Sequence, residues 1–152
     1  ELFAAATKVG AILSDMKTKE KDALEFYGRN LGLTFQIADD TLDYNSELKL
    51  FGKKIGQDFY EGKITLPIIL LFQNAKDQEK EKLKDIFSKN IRNENDLNYS
   101  LSLIKKYNII KSCYQKAQHY INLASSSLSI FNDSKEKNIL ENLTSFSLER
   151  NF

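Results

Sequence analysis

A single proline and six glycines punctuate 152 residues, and this scarcity constrains the fold more than any other feature. A β-rich chain needs many tight turns, and those turns draw on glycine and proline for backbone angles that other residues resist. Few such breaks, with abundant Lys, Leu, Glu and Ala, favour helices, so the expected class is all-α. Apolar residues make up 41% and charged residues 28%, a globular balance, and a chain of this length buries a sizeable core without metal or disulfide staples. The 22 Lys and Arg nearly cancel the 21 Asp and Glu, leaving a net charge of +1, which argues against a nucleic-acid partner. The lone cysteine, Cys113, excludes an internal disulfide and a cysteine-rich zinc site and suits a reducing compartment.

Hydrophobic spacing divides the chain into helices. The opening stretch to about Leu13 carries small apolar residues on several faces and is expected to lie in the core. After a polar break at 14–18, a long helix over about 19–44 places Leu24, Tyr27, Leu31, Phe35, Ala38 and Leu42 on one face. Gly28 and Gly32 sit four apart inside it, where each costs roughly 1 kcal/mol against Ala, which points to close approach of a neighbouring backbone. Periodicity fails over 45–65, predicting a long loop with Gly52, Gly56 and Gly62 among Lys53, Lys54, Asp58, Glu61 and Lys63. Thr65-Leu66-Pro67 opens a mostly buried helix, with proline in its first turn where a missing N–H costs little. Further helices are expected over about 77–89, 94–107, 108–131 and 134–148, the third with Ile110, Cys113, Ala117, Ile121, Ala124, Leu128 and Phe131 on one stripe. His119, in a polar stretch with no second histidine, reads as a surface residue. The longest apolar run, 66–72, falls far short of the roughly 18 residues that cross a bilayer, so no integral membrane segment and a cytoplasmic location are expected.

The candidate chemistry lies in Phe35-Gln36-Ile37-Ala38-Asp39-Asp40-Thr41-Leu42-Asp43. Residues three and four apart on a helix are neighbours, so Asp39 and Asp43 share a face with Gln36 and are flanked by Asp40. Three carboxylates near a helix carboxyl end repel one another and the helix dipole unless something positive binds. A hard divalent cation resolves this, and Mg²⁺ is usually held by one or two carboxylates plus phosphate oxygens. A bare acidic turn is more often just a solvated helix end; here a glycine-punctuated basic loop follows, whose Lys53, Lys54 and Lys63 can meet anionic oxygens that the metal also ligates.

These residues resemble the trans-prenyltransferases, the polyprenyl diphosphate synthases, from Leu2 to about Leu70. Leu2-Phe3-Ala4-Ala5-Ala6 is similar to the helix after the family's Lys-Thr pair, and 27–36 to its Y-G-x-x-L-G-x-x-F-Q run. Asp39-Asp40-Thr41-Leu42-Asp43 resembles the second aspartate-rich motif, and Gly52-Lys53, Gly56, Asp58, Glu61-Gly62-Lys63 and Thr65-Leu66-Pro67 the segment after it. The resemblance implies part of an isoprenoid-synthase-type helical bundle, and an enzyme joining an allylic diphosphate to isopentenyl diphosphate with Mg²⁺ as cofactor. It implies Asp39, Asp40 and Asp43 as catalytic metal ligands, Asp39 most directly, and Phe35, Gln36, Lys53 and Lys63 as substrate-binding residues. The spacing is most similar to long-chain, octaprenyl-type members.

The chain opens on Glu1 without an initiator Met, in what reads as helix interior, and the family's first aspartate-rich motif would precede it. Residues 1–152 are therefore expected to be the carboxyl-terminal portion of a single synthase domain, with the amino-terminal half absent. A homodimer, or a complementing amino-terminal half, is the partner this implies. Two rivals stand beside elongation: a non-catalytic or complementing helical subunit, and a terpene-cyclase-like enzyme that ionises diphosphates.

Overall fold

The computed structural model describes residues 1–45 and 55–149. Among the described residues eight α-helices occur in order: α1 Leu2–Leu13, α2 Thr18–Leu42, α3 Gln57–Glu61, α4 Leu66–Asn74, α5 Asp77–Ser88, α6 Glu94–Lys106, α7 Ile109–Ser127 and α8 Lys135–Glu149. A single 3₁₀ turn, Leu128–Ile130, extends α7, and no strand occurs among the described residues, so the all-α expectation holds. None of the helices is long and apolar enough to cross a membrane among the described residues. The chain divides into two compact units, Glu1–Ala38 with Gln115–Phe152, and Asp39–Tyr114.

In the first unit, Tyr27 and Leu31 of α2 pack with Ala124 and Leu128, and Leu24, Phe131 and Leu140 close around them. Tyr27 is buried, and its hydroxyl donates to the Leu140 carbonyl of α8 at 2.8 Å. Burial pushes that phenol up to about 12, so it stays a neutral donor. The two glycines of α2 bring α1 close: a Cβ at Gly28 would overlap Thr7 Oγ1 and the Phe3 carbonyl, and one at Gly32 would press on the Phe3 side chain at 3.2 Å. Thr7 Oγ1 uses this proximity to donate to the Leu24 carbonyl at 2.6 Å.

Two expectations for this unit need correction. Residues 2–13 form the expected helix, but only Ala4 and Ala11 are buried, while Leu2 and Leu13 are 80% and 82% exposed and Val9 and Ile12 about half. A helix that is apolar all round needs neighbours on every side, and the described chain supplies too few of them. Phe35 also leaves the buried stripe of α2, being 38% exposed with its ring 5.6 Å from that of Phe3. Thr34, one residue earlier, is buried instead and spends its hydroxyl on the carbonyls of Asn30 and Ala117.

In the second unit, α4 buries Pro67, Ile68, Leu70 and Leu71, and amphipathic α5 buries Leu83 and Ile86. Asn93 caps α6 by accepting the Asp96 N–H, and Asp96 returns the bond to the Asn93 N–H. Glu79 of α5 ties the end of α6 by accepting from Lys106 and from the Tyr107 hydroxyl, both at 2.6 Å. On α7, Ile109 rather than Ile110 is fully buried, Cys113 is buried as expected, and His119 is exposed.

Candidate functional site

Asp39 and Asp40 occupy the last turn of α2, and Asp43 lies in the turn just beyond it. Their placement follows from local sequence: the apolar face of α2 continues into this turn through Ala38 and the buried Thr41, which leaves Asp39 exposed and Asp40 and Asp43 half-buried. Phe35 and Gln36 precede them on α2, in the portion that belongs to the first unit, and both are exposed. Lys53, with Gly52 and Lys54, lies outside the described residues.

The stretch expected to be loop over 45–65 contains a helix of its own. Helix α3 is five residues long, too short to persist alone, and it stands because both its ends are held. At its start, Asp43 Oδ1 accepts the Gln57 N–H at 3.0 Å and Oδ2 accepts the Asp58 N–H at 2.9 Å, while the Gly56 N–H donates to the Asp43 carbonyl at 2.9 Å. Phe59 buries completely in its middle, edge-on to Phe87 of α5 at 5.4 Å. Hydrophobic periodicity misses α3 because a helix this short shows a single apolar contact and no repeat.

Just past the Gly62 cap of α3 comes Lys63, the one described lysine of the candidate set. Lys63 Nζ pairs with Glu61 Oε2 at 2.7 Å and with Asp58 Oδ1 at 2.9 Å, and its N–H closes onto the Asp58 carbonyl. The hydrogen bond to Glu61, then that to Asp58, raises the Lys63 ammonium above its ordinary value, and Lys63 with Gln57 lowers Glu61. Lys63 thus stays cationic while more than half exposed, with its charge balanced by two carboxylates. Burial, reinforced by the charges of Asp43 and Asp58, pushes the neighbouring Tyr44 phenol up, against a smaller opposing effect of the Thr65 hydroxyl.

Among the described residues no group of three or more His, Cys, Asp and Glu side chains forms a ready-made metal cage. The donor set is nonetheless all carboxylate oxygen, which suits a hard cation, and Mg²⁺ asks for only one or two carboxylates when waters and phosphate oxygens complete its octahedron. The residues therefore fit such an ion together with an anionic ligand. Each oxygen of Asp43 accepts a backbone N–H, so this carboxylate also holds the start of α3.

In this all-helical chain a long helix thus ends on an acidic triplet, and a glycine-flanked basic turn follows it. The polyprenyl synthetase family model matches residues 1–104, and the chain belongs to that family. It is 34% identical over 149 residues to a short chain isoprenyl diphosphate synthase of Methanothermobacter thermautotrophicus, covering 98% of this chain and 45% of the relative. The structure of a decaprenyl diphosphate synthase from Rhodobacter capsulatus superposes with a TM-score of 0.91 at 32% identity, covering 99% of this chain and 46% of the other. A polyprenyl synthase from Caulobacter crescentus, solved with calcium and isoprenyl diphosphate, gives a TM-score of 0.88 at 34% identity, again covering 99% and 46%. The chain thus spans about half the length of the relatives it matches, and their names run from short-chain to decaprenyl products.

Proposed function

We propose that this chain supplies the second metal-binding motif and part of the diphosphate cradle of a prenyl-elongating enzyme. The reaction would join an allylic diphosphate to isopentenyl diphosphate and release diphosphate, with an octaprenyl-like long chain as product. One observation carries the reading: three hydrogen bonds fasten the acidic end of α2 to the turn that bears Lys63, so carboxylates and an ammonium are held as one device.

In this reading Asp39 ligates Mg²⁺ directly, with Asp40 and Asp43 beside it. Magnesium, when bound, supplies Lewis-acid stabilisation of the charge that grows on the leaving diphosphate. Lys63 turns part of its ammonium from Glu61 and Asp58 toward diphosphate oxygens, a trade of acceptors that needs no change in its protonation. Gln36 and Lys53 bind beside the allylic diphosphate, and Phe35 adds apolar surface to a pocket that must exclude water from a carbocation. The balanced overall charge suits a soluble cytoplasmic enzyme with small anionic substrates rather than a nucleic-acid binder.

The exposed apolar residues of α1 favour one elaboration, that the working enzyme is assembled from this chain and a complementing amino-terminal half. The test combines the chain with a polypeptide carrying the family's first aspartate-rich motif and follows incorporation of labelled isopentenyl diphosphate with and without Mg²⁺. Magnesium-dependent chain growth is expected, with D39N lowering it roughly a hundredfold or more, as befits loss of a group that stabilises developing charge. Turnover that survives D39N intact would overturn the reading.

A further inference from the structure

The turn that presents Lys63 is held from its far end by a residue that nothing in the local sequence marks. Gly62 ends α3 with φ +79°, and a Cβ there would lie 2.7 Å from Arg92 Nη2 and 2.9 Å from Nη1. The bare glycine therefore leaves a seat for the Arg92 guanidinium, which comes from the connection between α5 and α6. From that seat Nη2 donates to the Phe87 carbonyl at 3.0 Å and Nη1 reaches the Tyr60 carbonyl at 3.4 Å. The guanidinium carbon stands 5.5 Å from the Phe87 ring, and Phe87 is the same ring on which Phe59 of α3 packs. Arg92 Nε is buried without a partner among the described residues, so this guanidinium is held by packing and by the two carbonyls at some cost in desolvation. A cation placed there at a cost, against a glycine adjoining Lys63, calls for a use.

We infer that Asp43 and Arg92 are positioning residues that pin the two ends of turn 56–63, Asp43 through the amides of Gln57 and Asp58 and Arg92 through the seat at Gly62, so that Lys63 is presented at a fixed place for an anionic ligand. The inference rests on the reading of Lys63 as a diphosphate contact. Arg92 itself points its donors at Phe87 and Tyr60, so its effect on the ligand passes through Lys63. Lysine cannot take its place, because the seat is filled by a planar fork whose nitrogens reach two carbonyls at once.

Two measurements on the purified chain test it. Hydrogen exchange without metal or ligand should show the amides of Gln57 and Asp58 exchanging roughly tenfold faster or more in D43A, as expected on loss of a charged acceptor, with D43N as a shape-conserving second variant. Unchanged exchange at both amides in either variant overturns the role of Asp43. Calorimetric titration with inorganic diphosphate and Mg²⁺ should then show R92A and R92K each binding roughly tenfold more weakly, with K63A weaker still. In the K63A background R92A should cost nothing further, because a residue acting only through Lys63 loses its effect when Lys63 is gone. Additive losses overturn the positioning role of Arg92 and leave the diphosphate site standing. A wild-type chain that fails to bind magnesium diphosphate overturns the diphosphate reading itself.

Discussion

Glu79 shows how one side chain can join two helices. Its carboxylate takes hydrogen bonds from Lys106, from Tyr107 and from the Lys76 N–H, in that order of influence, and together they push it down to about 2. A carboxyl whose folded pKa is depressed adds stability that is complete above its unfolded value, near 4.3, and is lost as pH falls through the folded value. Unfolding midpoints in denaturant should therefore fall between about pH 4.5 and pH 2 in the wild-type chain. The E79Q variant should start lower at neutral pH and show a flatter decline across that window. Lys63 behaves in the opposite sense: its raised value keeps the charge fixed up to strongly alkaline pH, so diphosphate binding should show no inflection near neutrality from this group. None of this detail was legible in the sequence, where Glu79, Lys106 and Tyr107 are 27 and 28 residues apart.

At the scale of the elements, the two glycines of α2 act where α1 crosses it. Gly10 and Gly28 make a controlled pair, since a Cβ at Gly10 meets nothing within 4 Å whereas one at Gly28 overlaps Thr7 and the Phe3 backbone. G10A should leave stability unchanged or raise it by up to about 1 kcal/mol through helix propensity. G28A must move a helix backbone, and a loss of about 1–3 kcal/mol is expected in equilibrium unfolding. Equal effects of the two substitutions would mean that α1 is not seated on α2 at Gly28. The spacing of Gly28 and Gly32 gave this contact away in advance, because two residues so poor in helix propensity sit in the middle of a 25-residue helix. Helix α3 gave no such sign: it depends on Asp43, 14 and 15 residues from the amides it caps, and on Arg92, 30 residues past Gly62.

At the scale of the chain, residues 1–152 span about half the length of the relatives they match, and within them α1 exposes Leu2, Val9, Ile12 and Leu13. On the proposed function, residues 1–152 by themselves are expected to give no detectable condensation of labelled isopentenyl diphosphate, because the relatives they match are about twice as long; condensation by these residues alone would refute that expectation. The amino-acid sequence by itself determined the helical class, seven of the eight helices among the described residues to within a few positions, and the family, because apolar periodicity, scarce turn formers and the acidic and basic motifs are all local patterns. It also located the aspartate triplet and Lys63. Only the tertiary structure decided that Asp43 grips a helix the periodicity did not reveal, that Lys63 rests between Glu61 and Asp58, that Arg92 seats against Gly62, and that α1 is largely uncovered. The physical reason is that caps, ion pairs and burial depend on which groups the folded chain brings within a few ångströms, and residues tens of positions apart carry no local mark of that meeting.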